Sequence, residues 1–152
     1  MASTSAFKTA AVVLYQPDPV LKERVPAVDE FTSFAKAIQD AATAAFPIGS
    51  AERELDIVVA IKPGRRARFW LVSAKPSDAD APLLARLRSL PAPAVQSGPV
   101  AFAVIGSIGG APTSAVTRPF KPPMPEEWRA VAVRSSEALV VPDGILPMVW
   151  PD

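Results

Sequence analysis

Two residue types that dominate catalytic and metal sites are missing from this 152-residue chain, which has neither cysteine nor histidine. The absence of cysteine excludes a disulfide scaffold, a thiolate metal site and a thiol nucleophile. The absence of histidine removes the commonest general base and the commonest transition-metal ligand. We therefore predict a protein that is not an enzyme and that has no cofactor and no metal site. A hydrolase or transferase relying on carboxylates, Lys, Tyr or Ser is the less favoured alternative.

A long apolar run that could form a membrane helix is also missing. The longest uncharged stretch, residues 89–117, contains four prolines and four glycines, which a spanning helix does not tolerate. No signal peptide is visible, because the apolar run 10–15 is short and ends at a Gln-Pro-Asp-Pro sequence. We expect no membrane span, and either a periplasmic protein whose leader is missing from this sequence or a cytoplasmic one.

The charge is nearly balanced, with 16 basic and 15 acidic residues, so the net charge does not point to a polyanionic partner. Hydrophobic residues make up 49% of the chain, enough for a sizeable core. At this length we expect a single domain over residues 1–152.

The apolar periodicity predicts the order of the elements. A short strand covers residues 8–15, and a helix capped by Asp29 ends at Phe46-Pro47. A hairpin follows over residues 55–73, then a leucine-rich helix that ends before Pro91, then an apolar strand over residues 100–105. A Gly/Pro-rich connection (106–124) leads to a β-rich C-terminal extension (125–152) that we expect to pack on the core. The fold class is thus α+β, with two layers, an antiparallel sheet and two helices packed on one face.

In the hairpin, alternation places Ile57, Val59 and Ile61 on one face and Asp56, Val58, Ala60 and Lys62 on the other. Keeping the Ile61 row beside the Phe69 row requires a loop with an odd number of residues. A three-residue loop pairs Ile61 with Ala67, whereas a five-residue loop pairs it with Phe69. Three-residue loops favour Gly in the last position, and Gly64 is in the middle, so the longer loop is favoured.

Basic residues surround this loop, and the stretch from position 62 to position 88 contains seven basic and two acidic residues. They form a solvated hairpin tip or a partner-binding patch. The candidate partner-binding residues are Lys62, Arg65, Arg66, Arg68 and Trp70. Nucleic-acid binding is not expected, because a single outward aromatic is not a stacking platform and no RNA-binding signature is present.

Other candidate motifs favour structural roles. The pairs Asp78/Asp80 and Glu126/Glu127 fall at expected helix starts, where acids complement the helix dipole. The glycine-rich stretch 106–110 lacks the Lys-Ser/Thr of a phosphate loop. The aromatic residues of the extension (Phe120, Trp128 and Trp150) either cover the sheet or face a partner.

The middle of the chain resembles the C-terminal domain of TonB- and TolA-type energy transducers. The resemblance covers roughly residues 46–106 and is carried by Phe46-Pro47, LDIVVAI, KPGR, RFWLVSAKP, APLLARLRSL, PAPAVQSG and PVAFAVI. It implies a two-layer core over about residues 28–106 that binds proteins and performs no chemistry.

In that family an exposed edge strand pairs with an extended segment of a receptor, a mode that draws its affinity from main-chain hydrogen bonds. The matching edge strand in this chain consists of Val100, Ala101, Phe102, Ala103, Val104 and Ile105. Because the sequence shows no N-terminal anchor and continues well past this strand, we do not expect it to transmit force, and the extension could itself cover the edge.

The sequence thus predicts a non-catalytic protein–protein interaction module of the bacterial envelope or periplasm. The partner is another protein, which offers an acidic surface or an extended segment. The alternative is a small soluble inhibitor or immunity-type protein that blocks a partner enzyme with its basic hairpin and C-terminal tail.

Overall fold

The described part of the chain forms a four-stranded antiparallel sheet with three helices. A computed structural model describes residues 7–15, 18–46, 53–73 and 80–109, together with Pro125, Trp128 and Trp150. In chain order the elements are β1 (Phe7–Leu14), α1 (Asp18–Arg24), α2 (Val28–Ala45), β2 (Arg53–Lys62), β3 (Arg66–Val72), α3 (Asp80–Arg88) and β4 (Val100–Ile108). The strands lie in the order β1-β4-β2-β3, and each neighbouring pair is antiparallel.

Helices α2 and α3 pack on one face of this sheet, which we call the first face. The apolar stripe of α2 lies against it, with Phe34 in ring contact with Phe69 and with Phe102. From α3, Leu83 and Leu87 join the same core cluster. The predicted α+β class with two layers is therefore confirmed.

The helix α1 was not predicted from the sequence, where residues 16–19 indicated only the end of a strand. None of its residues is buried, so it lacks the broad apolar stripe by which helices are recognised. Leu21 packs against the core from a partly buried position, and contacts at the C-terminal end of the helix also position it. The Arg24 guanidinium donates to the Pro99 carbonyl oxygen at 2.8 Å, and the Gln96 N–H donates to the Arg24 carbonyl oxygen at 2.9 Å.

The hairpin has the three-residue loop, so the preference for the five-residue loop was wrong. Ile61 pairs with Ala67 and Lys62 with Arg66. Gly64 and Arg65 both have positive φ, at 96° and 57°. Arg65 therefore adopts the left-handed conformation that glycine usually supplies in the last loop position. Tertiary contacts hold it there, because its guanidinium pairs with Glu30 and lies 3.4 Å from the Ala92 carbonyl oxygen.

The prediction that residues 100–105 form an edge strand is wrong, because β4 lies between β1 and β2. Val104 pairs with Val12 on one side and with Ile57 on the other. The strand also continues to Ile108, beyond Gly106, where we had predicted a connection to begin. The N-terminal segment, which is distant in sequence, has taken the place beside β4 that the family resemblance assigned to a partner.

Several predictions fall outside the described residues. They concern the strand-like segments at 129–134 and 138–141, the connection from 110 to 124, and the side chains of Asp78, Phe120, Glu126 and Glu127. Asp80 lies at the start of α3, as predicted, and pairs with the buried Arg53 guanidinium.

Candidate functional site

The sheet face opposite α2 and α3, which we call the second face, is also covered. Its centre is lined by small residues, since Ala60 pairs with Ala101 and Val58 pairs with Ala103 across β2 and β4. Small side chains on two adjacent central strands leave a shallow depression. Trp70 from β3 and Tyr15, just after β1, flank it as larger walls.

Trp128 occupies this depression and is only 1% exposed. Its ring centroid lies 5.2 Å from that of Trp70, at an interplanar angle of 78°, and 5.8 Å from that of Tyr15, at 66°. Both are edge-to-face contacts, the arrangement that aromatic quadrupoles favour. The indole Nε1 is buried and has no hydrogen-bond partner among the described residues.

Asp56 is the buried acid of the second face and is 6% exposed. Its cross-strand neighbours are apolar, Val72 on β3 and Ile105 on β4. Its Oδ1 atom has no hydrogen-bond partner among the described residues. Burial, helped by the negative charge of Glu54, raises the pKa of Asp56 to about 7, although a hydrogen bond from the Gly106 N–H acts in the opposite direction.

Tyr15 shares this environment. Burial raises the pKa of its phenol well above the ordinary value of 10.0, and the charge of Asp56 adds to the effect. A proton is therefore retained on both side chains over a wider pH range than in water. The sequence did not single out either residue, although an aspartate between Leu55 and Ile57 in an otherwise apolar strand was a visible signal.

The predicted partner-binding residues of the hairpin are largely engaged within the chain. Lys62 is buried, its Nζ donates to the Trp150 carbonyl oxygen, and the same atom lies 4.6 Å from the Trp150 ring centroid. The guanidinium carbons of Arg66 and Arg68 lie 6.0 Å from the Trp150 ring and 5.1 Å from the Trp70 ring, distances typical of cation–π contacts.

The loop residues 63–66 are exposed, as expected of a solvated tip, whereas Lys62 and Trp70 do not face a partner as predicted. Trp70 is buried beneath Trp128 and presents no stacking surface to solvent, and Lys62 lies under the Trp150 backbone. Of the five predicted residues, only Arg65 and Arg66 are exposed. Arg65 is already paired with Glu30, which also accepts a hydrogen bond from the Ala94 N–H at 2.9 Å. These two hydrogen bonds hold the pKa of Glu30 below its usual range, the one from Ala94 contributing most.

The edges of the described sheet are β1 and β3. On β1, Val12 and Leu14 are 43% and 44% exposed although both are large and apolar. They point toward the first face, because their partners Val104 and Phe102 belong to its core. Val28, at the start of α2, is 68% exposed, and Phe31 one turn later contacts Phe102. An apolar patch thus lies at the junction of β1 and α2.

Within the described ranges, no group of three or more acidic side chains is arranged to hold a metal ion. None of the described helices is both long enough and apolar enough to cross a membrane.

No family model, curated protein or solved structure that was compared with the chain matches it. The resemblance to the TonB-type C-terminal domain therefore stays a prediction.

Proposed function

We propose that this protein is a non-catalytic interaction module that adds an extended segment of a partner protein to strand β1. The observation that carries the proposal is the exposure of Val12 and Leu14 on an edge strand, at 43% and 44%. The unpaired backbone groups of a sheet edge can pair with a further strand. A partner strand that also covers apolar side chains gains affinity from the main-chain hydrogen bonds and from the apolar burial.

The backbone of β1 has the direction that strand addition requires. The Tyr15 N–H donates to the Ala101 carbonyl oxygen of β4 at 3.1 Å. Because backbone groups of successive residues point to opposite sides of a strand, the N–H groups of Val12 and Leu14 point away from β4. On that side β1 pairs with no strand in the described part of the chain. Val12 and Leu14 would therefore offer a partner strand both backbone N–H donors and apolar side chains.

The family resemblance also supports strand addition, but at β1 and not at β4. In TonB-type domains the receptor segment pairs with the strand that matches β4, but here β1 already pairs with that strand. The partner would therefore add to β1 instead. The envelope location, which is part of this proposal, is supported by the resemblance alone.

The alternative, an inhibitor acting through its basic hairpin and tail, receives less support. Lys62 and Trp70, two of the residues it needs, are buried against Trp150 and Trp128. Arg65 is paired with Glu30.

The proposal can be tested with the full chain and a randomised library of linear peptides displayed on phage. We expect selected peptides to bind and to protect the amides of Val12 and Leu14 from hydrogen exchange. The double variant Val12→Lys/Leu14→Lys places charges on the edge and should weaken binding about tenfold or more, because lysines on an edge oppose strand addition.

Ala85→Lys is the matched control, since Ala85 is exposed on α3, away from β1. It should leave the peptide affinity unchanged. Failure to select any binder, or binders whose protection maps to residues 62–68 instead of β1, would overturn the proposal and, in the second case, favour the basic hairpin.

A further inference from the structure

Two buried polar atoms on the second face lack hydrogen-bond partners among the described residues, Asp56 Oδ1 and the Trp128 Nε1. Buried polar groups are nearly always paired, so each exception calls for an explanation. Both side chains belong to one neighbourhood, because Tyr15 packs edge-to-face on Trp128 and interacts electrostatically with Asp56.

The described residues next to Asp56 on the paired strands carry no positive charge. Strand β1 leads into the Tyr15 phenol, and β2 contributes the carboxylate of Glu54. Strand β3 contributes Val72, and β4 contributes Ile105 and the Gly106 N–H.

The closest basic side chain in register on β3 is Arg68, which pairs with Ala60. Ala60 is four residues along β2 from Asp56, a distance of about 13 Å in a strand. On β1, the exposed Lys8 pairs with Ser107, which also pairs with Glu54, so Lys8 lies two residues along the sheet and two strands away from Asp56. Among the described residues, no basic side chain is a direct cross-strand neighbour of Asp56.

A neutral carboxyl group is tolerated in such surroundings, whereas a carboxylate there requires water. Asp56 itself is held by strand pairing on both sides, with β3 and with β4. Trp128, in contrast, is held on this face by side-chain contacts with Trp70 and Tyr15. Among the described residues, moving the indole breaks no strand pairing, whereas moving Asp56 does.

We propose that Asp56 is a proton-controlled switch: protonated, it allows Trp128 to stay seated on the second face, and ionised, it draws water to this face and loosens the indole. The proton passes to solvent. Burial raises the pKa of the group to about 7, so the change falls near neutral pH. Loosening exposes the walls of the depression, Tyr15 and Trp70, as a new apolar surface.

The test is an NMR titration of the full chain with labelled aspartate carboxyl carbons and tryptophan indole nitrogens. We expect the Asp56 carboxyl signal and the Trp128 indole signal to titrate together, with a midpoint near 7. At about pH 8.5 the Trp128 indole N–H should exchange with solvent about tenfold faster than in Asp56→Asn at the same pH, because local opening sets exchange.

Glu54→Gln is the second variant. It removes the negative charge that helps to raise the pKa of Asp56, so the shared midpoint should move to lower pH. Titration of Asp56 in the ordinary aspartate range would overturn the proposal. So would a Trp128 indole signal whose chemical shift does not change as Asp56 titrates. Both readings come from the unsubstituted chain, so the result stands even if a variant fails to fold.

Discussion

Trp128 is among the largest fully buried side chains in the described structure, and its position depends on small residues elsewhere. Ala101 and Ala103 on β4 leave room for the indole, and Trp70 and Tyr15 meet its edges and face. One residue of the C-terminal extension thus covers the middle of a sheet face. The sequence left open whether this tryptophan covers the sheet or meets a partner, and the structure shows that it covers the sheet.

Replacing Trp128 by alanine should destabilise the protein by about 3–5 kcal/mol, the usual cost of removing a fully buried tryptophan. Urea denaturation followed by circular dichroism measures the change without relying on the lost fluorophore. Trp150→Ala is the matched control, because Trp150 is only partly buried and its hydrogen bond with Lys62 uses a backbone oxygen that alanine keeps, so that the substitution removes only ring contacts. A Trp128→Ala cost no larger than that of Trp150→Ala would mean that Trp128 contributes little to the fold.

At the scale of elements, Gly106 determines how closely β1 can approach β4. A Cβ atom at this position would lie 2.4 Å from the Phe7 ring, well inside van der Waals contact. The Phe7 ring therefore lies directly over the glycine, near the point where the β1–β4 register shifts between Thr9 and Ala11. The sequence suggested that Gly106 ended a strand, whereas it provides the space for an aromatic ring within one.

Gly106→Ala should lower the free energy of unfolding by about 1–3 kcal/mol, as overpacking commonly does, and should speed hydrogen exchange of the β1 amides. In a Phe7→Ala background the same substitution should cost much less, because the ring that it meets is gone. A double-mutant cycle measures this coupling. If Gly106→Ala lowers the free energy of unfolding equally in the two backgrounds, the contact with the Phe7 ring is not the reason that this position needs glycine.

The hairpin shows why a local rule can fail at this scale. Loop statistics favour glycine where Arg65 lies, and by that criterion the five-residue loop was the better choice. The structure instead combines Gly64 and a left-handed Arg65, and it compensates the strain with contacts from Glu30 and the Ala92 carbonyl oxygen. Those partners lie 35 and 27 positions away in the chain, beyond the reach of a local rule.

For the whole molecule, the shifted pKa values predict how stability depends on pH. The pKa of Asp56 is raised from 3.8 to about 7, so the folded state holds a proton that the unfolded state has lost. The free energy of unfolding should therefore fall as pH rises from about 4 to about 7, by up to about 1.4 kcal/mol per pH unit. The pKa of Glu30 is lowered from 4.5, so its contribution is present above that value and is lost as pH falls.

Stability should consequently be highest in mildly acidic solution, with a further decline above pH 10.0, where Tyr15 ionises in the unfolded chain but not in the folded one. Urea denaturation across pH measures this profile. Asp56→Asn should reduce the fall in the free energy of unfolding toward neutral pH. Glu30→Gln should reduce the loss of stability as the pH falls below the ordinary pKa of a glutamate. A wild-type profile that rises from pH 5 to pH 7 would contradict the assignment to Asp56.

The two-layer α+β class could be predicted from the sequence, because apolar spacing is a local property of each segment. The alternation from Leu55 to Ile61 assigned the first face of β2 correctly, and the stripe of α2 gave the helix that covers it. The apolar character of residues 100–105 also predicted a strand there, and the structure buries the residues on both of its faces.

Tertiary structure alone decided which strand lies at the edge and what the second face contains. Strand β4 pairs with a segment more than 85 residues earlier, and such pairing depends on the competition between distant segments rather than on local pattern. The same holds for Asp56, whose position in an apolar strand is visible in the sequence but whose burial is not. It becomes a buried group of raised pKa because strand pairing places it between Val72 and Ile105 and near the charge of Glu54.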